Sequence, residues 1–181
     1  MTRVAVISDT HLPSRGRELP PACVDAIRGA DLLVHAGDLA DLAALALLRS
    51  LGPPLVAVHG NADDAEVRAA LPATAAVELP GLRLAVVHDG GPEAGRLDRL
   101  RRTFPGAGAV VFGHSHVPFL QRAPGGFLAL NPGSPTDRRR QPRHSMAEIL
   151  RRDGRPPRIR FLAVDEPAGP LPEDLVRRPP G

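Results

Sequence analysis

The segment "GHSH" (113–116) sets two imidazoles one residue apart beside a glycine, directly after the apolar run "AVVF". Other apolar runs end in the same way: "VAVISDTH" in Asp9 and His11, "LLVHAGD" in Asp38, "LVAVHGN" in Asn61 and "LAVVH" in His88. With His114 and His116, seven side chains able to ligate a metal stand at five run ends. They are imidazoles, carboxylates and one amide oxygen, without a thiolate, a set suited to Mn²⁺, Fe or Zn²⁺ rather than to calcium or a structural zinc site. With one carboxylate bridging, such a set coordinates two metals about 3.5–4 Å apart, which lower the pKa of a shared water. The chemistry expected is attack by metal-bound hydroxide.

The local spacing supports convergence. Asp9/His11 and His114/His116 are i, i+2 pairs, which on an extended backbone project to one side and reach one centre or two adjacent ones. Gly37, Gly60 and Gly113 each precede a candidate ligand, as turns with unusual backbone angles or close backbone approach require.

The elements that must carry these residues are short apolar, valine-rich runs at 4–8, 32–36, 54–59, 82–88, 109–113 and 127–131, whose length favours buried strands. Helical spacing at 20–30, 41–51 and 63–71 predicts alternating β and α with parallel pairing, and 92–104 predicts a further helix with proline at its start. Later, 75–88, 119–131 and 146–164 each hold two strand-like runs around a Pro/Gly turn, predicting antiparallel hairpins. Two stacked sheets with helices outside bury all these strands, and a doubly wound single sheet is the alternative. In either arrangement the carboxyl ends of neighbouring strands open onto a common crevice.

The 181 residues suffice for one domain, with 165–181 ("DEPAGPLPEDLVRRPPG") read as an extended or mobile tail, dense in proline and charge. All 23 basic residues are arginine and the formal net charge is +3, a balance unlike that of a nucleic-acid binder. Only five phenylalanines, with no tyrosine or tryptophan, are present to stack on bases, so no stable nucleic-acid partner is expected. The lone Cys23 reads as a small buried hydrophobe. The chain opens on a strand without a signal segment and lacks a membrane-length apolar stretch, so a cytoplasmic location and no membrane partner are expected.

The ordered set D-x-H (9–11), G-D (37–38), G-N (60–61), H (88) and G-H-x-H (113–116) resembles the calcineurin-like metallophosphoesterase superfamily, most closely its small single-domain phosphodiesterase branch of bacteria and archaea. The resemblance spans roughly residues 1–165, including "NPGS" (131–134), and leaves 166–181 as a proline-rich C-terminal tail. It implies a four-layer α-β-β-α sandwich, two mixed β-sheets flanked by helices. It further implies that Asp9, His11 and His116 hold one metal, that Asn61, His88 and His114 hold the other, and that Asp38 bridges them. Asp38, Asn61 and His114 are the expected catalytic positions. Mn²⁺ is the expected metal, with Ni²⁺, Co²⁺, Fe²⁺ or Zn²⁺ as alternatives, and a small phosphate ester the expected substrate.

Two positions depart from the pattern. Many members of the superfamily have histidine after G-N, a proposed proton donor, where this chain has Ala62, and Asp89 stands where close relatives often have glycine. Without an imidazole at 62, esters with good leaving groups are the expected substrates, and Asp63 is a candidate proton donor. His35, His59 and Asp63 are candidates for orienting the ligands from behind. Arg138, Arg139 and Arg140, flanked by Asp137 and Arg143, form either a phosphate clamp or a solvated basic loop. Other readings are a protein-binding scaffold of the same fold, as in the retromer subunit that shares it, or a phosphomonoesterase, nuclease or protein phosphatase of the superfamily. Recognition is expected from loops 12–20 and 134–144. The sequence leaves a homodimer open.

Overall fold

A computed structural model describes residues 1–13, 18–152 and 154–179. Two mixed sheets stack face to face. The first contains β1 (Thr2–Ile7), β2 (Leu32–His35), β3 (Leu55–Ala57), β9 (Ser145–Arg151), β10 (Arg158–Ala163) and β11 (Gly169–Pro170), in the order β11-β10-β9-β1-β2-β3. The second contains β4 (Thr74–Leu79), β5 (Leu82–Val87), β6 (Ala109–Val111), β7 (Phe119–Arg122) and β8 (Leu128–Asn131), in the order β4-β5-β6-β8-β7. Strands β1–β2–β3 and β5–β6–β8 run parallel, whereas the pairs β4/β5, β7/β8 and β9/β10 are the expected antiparallel hairpins.

Alternation along the strands builds the layers, because successive side chains point to opposite faces. In β1, Val4 and Val6 enter the core between the sheets with Val34, Leu84, Val86, Val111 and Leu130. Ala5 and Ile7 turn the other way, onto Cys23 and Ile27 of α1 (Pro21–Arg28) and Leu45 and Leu48 of α2 (Leu42–Ser50). On the far face of the second sheet, Ala85, Val110 and Phe112 meet Leu97 and Leu100 of α4 (Arg96–Thr103). This is the four-layer sandwich, not the single doubly wound sheet. Burial pushes the Cys23 thiol up to about 12, as for an inert core residue.

Three expectations are corrected. Helix α4 begins at Arg96, four residues after Pro92, because Arg96 and Arg99 bind the carbonyls of Gly90, Gly91 and Pro92 and hold that segment as a loop up to Gly95. The tail is not simply extended: β11 pairs with β10, and Leu171 and Val176 are buried in the core between the sheets. The ligand pairs do not lie on extended backbone, since β1 ends at Ile7 and β6 at Val111, before the first ligand of each pair. No helix among the described residues is long and apolar enough to cross a membrane.

Candidate metal centre

The ligands stand in the loops that leave the carboxyl ends of β1, β2, β3, β5 and β6, and the backbone there is unusual. Asp9, His11, Asp38, His114 and His116 all have left-handed φ, between 47° and 68°, a conformation that costs a non-glycine residue on the order of 1 kcal/mol. Ala40 and Arg139 are the other described non-glycine residues with positive φ, so this strain concentrates at the site. Cross-loop hydrogen bonds hold it: the N–H groups of Asp9, His11 and Leu12 donate to the carbonyls of Gly37, Asp38 and Leu39. Close approach explains two of the glycines. A Cβ at Gly60 would stand 2.1 Å from Asp38 Oδ1, and one at Gly113 would stand 2.8 Å from Asp9 Oδ2.

All seven expected residues come together. Asp9, His11 and His116 bring ligand atoms within 4.8 Å of one another, and so do Asp9, Asp38 and His88. Asn61 Oδ1 lies 3.0 Å from His88 Nε2 and 2.8 Å from His114 Nδ1. Asp38 Oδ2 stands 3.3 Å from His88 Nε2 and 3.9 Å from His11 Nε2, between the two groups, while its Oδ1 accepts from the Ala62 N–H at 2.7 Å. The His11 and His116 rings stack with their Nε2 atoms 3.5 Å apart, and His88 meets His114 edge to face.

Burial makes the cluster costly without a cation. It raises the Asp9 carboxyl to about 7, against the pull of His88 and the Ser8 hydroxyl, and lowers His116 to about 4 although the Asp137 carbonyl opposes the shift. Burial acts upward on Asp38 as well, but the hydrogen bond and charge of His88 outweigh it and hold this carboxyl at about 2. Crowded imidazole nitrogens and carboxylate oxygens of this kind fit one or two divalent ions, the chemistry that nitrogen and oxygen donors without sulfur provide.

The candidates for supporting roles separate. His35 is fully buried, receives the Gly37 N–H on Nδ1 and faces Thr10 Oγ1 with Nε2 at 3.0 Å, so it braces two ligand loops; burial lowers its pKa to about 3. Asp63 accepts from the N–H groups of Asp38, Ala40 and Gly60, tying the second ligand loop to the third. Both its oxygens are thereby engaged, which removes Asp63 as a proton donor. His59 lines an open cleft of about 420 Å³ beside Asn61, His88 and His114, and its Nδ1 has no hydrogen-bond partner among the described residues.

Of the arginine loop, Arg139 lies near enough to His116 for its charge to push that imidazole down. Arg138 binds the Gln141 carbonyl, and Arg143 turns away to Asp165 at 2.7 Å, so Arg143 is no part of a clamp. In loop 12–20, residues 14–17 lie outside the described residues.

Sequence reasoning missed the roles of Asn131, Ser134 and Arg68. Asn131 donates to the Gly113 carbonyl at 2.7 Å, Ser134 Oγ donates to the Asp9 carbonyl at 2.8 Å, and Ser8 Oγ reaches the Gly133 carbonyl. "NPGS" thus locks the first ligand loop to the last, and its Asx-like composition at a strand end was the available signal. Arg68, on α3 (Ala65–Ala70), binds the carbonyls of Asn61 and Asp63 and lines the open cleft. Nothing in its local sequence distinguishes it from the other arginines.

Comparison with known proteins agrees with this geometry. Residues 2–152 match the model of the calcineurin-like phosphoesterase superfamily domain. A probable metallophosphoesterase of Methanothermobacter thermautotrophicus is 37% identical over 135 residues, 74% of this chain and 77% of that protein. One of Methanocaldococcus jannaschii is 38% identical over 137 residues, 74% of this chain and 68% of that protein. Among solved structures, zinc-complexed Vps29 of Entamoeba histolytica shares the fold with a TM-score of 0.76 at 23% identity, over 93% of this chain and 96% of that one. A novel archaeal phosphodiesterase shares it with a TM-score of 0.68 at 18% identity, over 90% and 99%. The chain belongs to the calcineurin-like phosphoesterase superfamily.

Proposed function

We propose that the protein is a dinuclear metal-dependent phosphodiesterase acting on a small phosphate ester. The observation that carries this reading is the place of Asp38 Oδ2, within 4 Å of imidazoles from both ligand groups. Asp9, His11 and His116 would hold one divalent ion, Asn61, His88 and His114 the other, with Asp38 between them. Bound ions of this kind supply hydroxide near neutral pH and neutralise phosphate charge. Mn²⁺ is the metal expected, with Ni²⁺, Co²⁺, Fe²⁺ or Zn²⁺ as alternatives; the mixed imidazole and carboxylate set admits all of them, and a zinc complex of a protein with this fold supports the last.

The chain's own residues set the substrate's place. The cleft beside Asn61, His88 and His114 receives the ester, and Arg68, fixed by two carbonyls, keeps further N–H groups for a phosphate oxygen. Arg139 approaches from the His116 side. Ala62 offers no proton, and Asp63 is engaged by backbone N–H groups, so leaving groups that need little protonation are favoured, which points to aryl over alkyl esters.

A second reading, a protein-binding scaffold, is favoured by the Vps29 structures that share the fold. Metal-stripped protein resupplied with each metal and assayed on bis(p-nitrophenyl) phosphate and p-nitrophenyl phosphate separates the two. Metal-dependent diester turnover, lost in Asp38→Ala, is the expected result; two bound metals without turnover of either ester would favour the scaffold.

A further inference from the structure

Sheet edges expose unpaired backbone groups, and folds usually shorten or cover them. Among the described residues three of the four edge strands follow that pattern. Strand β3 has three residues and β11 two, and the β7 edge is covered by the tail: the Leu120 N–H donates to the Arg177 carbonyl and the Arg177 N–H to the Pro118 carbonyl. Strand β4 differs. Its six residues, "TAAVEL", include no proline, glycine or lysine, and no described group bonds to its outer side. The described neighbours of residues 14–17, 153 and 180–181 belong to the α1 side, to the first sheet and to the β7 edge, none of them to β4.

Local geometry decides which groups point outward. Leu79 and Leu82 face each other across the two-residue turn Pro80–Gly81, so they form a hydrogen-bonded pair, and pairing alternates from there. Ala75 and Val77 therefore bond to β5. The N–H and C=O groups of Thr74, Ala76 and Glu78 point away from it, and none of them has a partner among the described residues. Side chains alternate as well: Ala75 and Val77 are only half-buried against the core between the sheets, while Thr74, Ala76 and Glu78 are exposed on the other face.

We propose that β4 is the contact between two copies of this chain, paired antiparallel about a two-fold axis through Ala76. In that register Ala76 faces the partner's Ala76 and Thr74 faces the partner's Glu78, so every outward N–H and C=O is used. Val77 falls opposite the partner's Ala75, which carries the apolar core across the axis. Registers centred on Ala75 or Val77 leave outward groups unpaired, and one centred on Glu78 sets two carboxylates against each other. A slip of one residue turns the core-facing side chains to solvent. The small Ala76 side chain leaves room at the axis, and the Thr74 hydroxyl can donate to the carboxylate of the partner's Glu78. This self-complementarity selects a second copy over an unrelated extended peptide.

The test is sedimentation equilibrium of the full chain over a range of concentrations, with added Mn²⁺ and again in EDTA, so that its outcome does not depend on the phosphodiesterase reading. A two-chain species is expected in both arms. Ala76→Pro removes an outward donor from each copy without touching the β5 ladder, and should weaken association at least about a hundredfold. Charge at position 74 reads the register: Thr74→Glu, acting twice across the axis, should weaken association about tenfold, whereas Thr74→Lys should not weaken it. Thr74 is exposed, so both variants keep the fold, which circular dichroism checks. A single-chain species at every concentration overturns the proposal. So does equal association of Thr74→Glu and Thr74→Lys, or a two-chain species unchanged in Ala76→Pro.

Discussion

The two candidate ligand groups, Asp9/His11/His116 and Asn61/His88/His114, are built differently. Asp9 and His116 are essentially inaccessible, and the Asp137 carbonyl and the Ser8 and Ser134 hydroxyls fix the residues around them. Asn61 and His114 are exposed at the open cleft, where Asn61 relies on its own loop and on the imidazoles beside it. In the proposed reading, preorganisation and water exclusion would belong to the first group, and access for a substrate and for metal exchange to the second. Phosphoryl chemistry needs both, a fixed charge and a coordination position that the ester can reach.

The largest test addresses what both groups share. Asp38→Ala should lower diester turnover by at least about 10³-fold and bring bound metal below one equivalent by elemental analysis, because the carboxylate between the groups is lost. Retention of two metals would show that the groups are independent.

Next comes the contrast itself. His114→Ala should keep one tightly held metal while activity falls by about 10²-fold or more, whereas His116→Ala should lose the metal of the buried group. Equal metal loss in the two variants would break the distinction.

A smaller effect concerns pH. Burial penalises the charged ring of His35 and pushes this imidazole down to about 3, well below its ordinary value of 6.5. A lowered imidazole pKa stabilises fully above pH 6.5, and that contribution is lost as pH falls toward 3. Buried His116 acts in the same direction, and the raised Asp9 carboxyl opposes it with a term lost as pH rises through about 7. Metal-free protein should therefore melt at lower temperature at pH 4.5 than at pH 6.5, and His35→Gln should flatten that slope by an amount on the order of 2 kcal/mol. An unchanged slope would mean that His35 does not carry the acid sensitivity.

Asn131→Ala should destabilise by about 1–3 kcal/mol in denaturant titration, since it leaves the buried Gly113 carbonyl without its donor. The smallest effect is expected at the rim: Arg139→Ala should raise KM for the diester a few-fold with kcat nearly unchanged, as for an exposed charge contact. A kcat loss there would move Arg139 from binding into the chemistry.

The sequence by itself determined the candidate ligand residues, the glycines beside them, the strands that precede them and the three hairpins, because residue type and short-range spacing are local properties. Chain-local pattern could not reveal that Asp9, His11, Asp38, His114 and His116 leave the strands before they act, since their left-handed backbone is held by bonds to other loops. Only the tertiary structure decided which imidazoles stand together, that Asp63 is engaged by three N–H groups, that Arg68 faces the cleft, and that Leu171 and Val176 bring the tail into the core. These depend on strand order and on which turns share one end of a sandwich. Such distances run between residues far apart in the chain, and they are set when both sheets bury their apolar faces together.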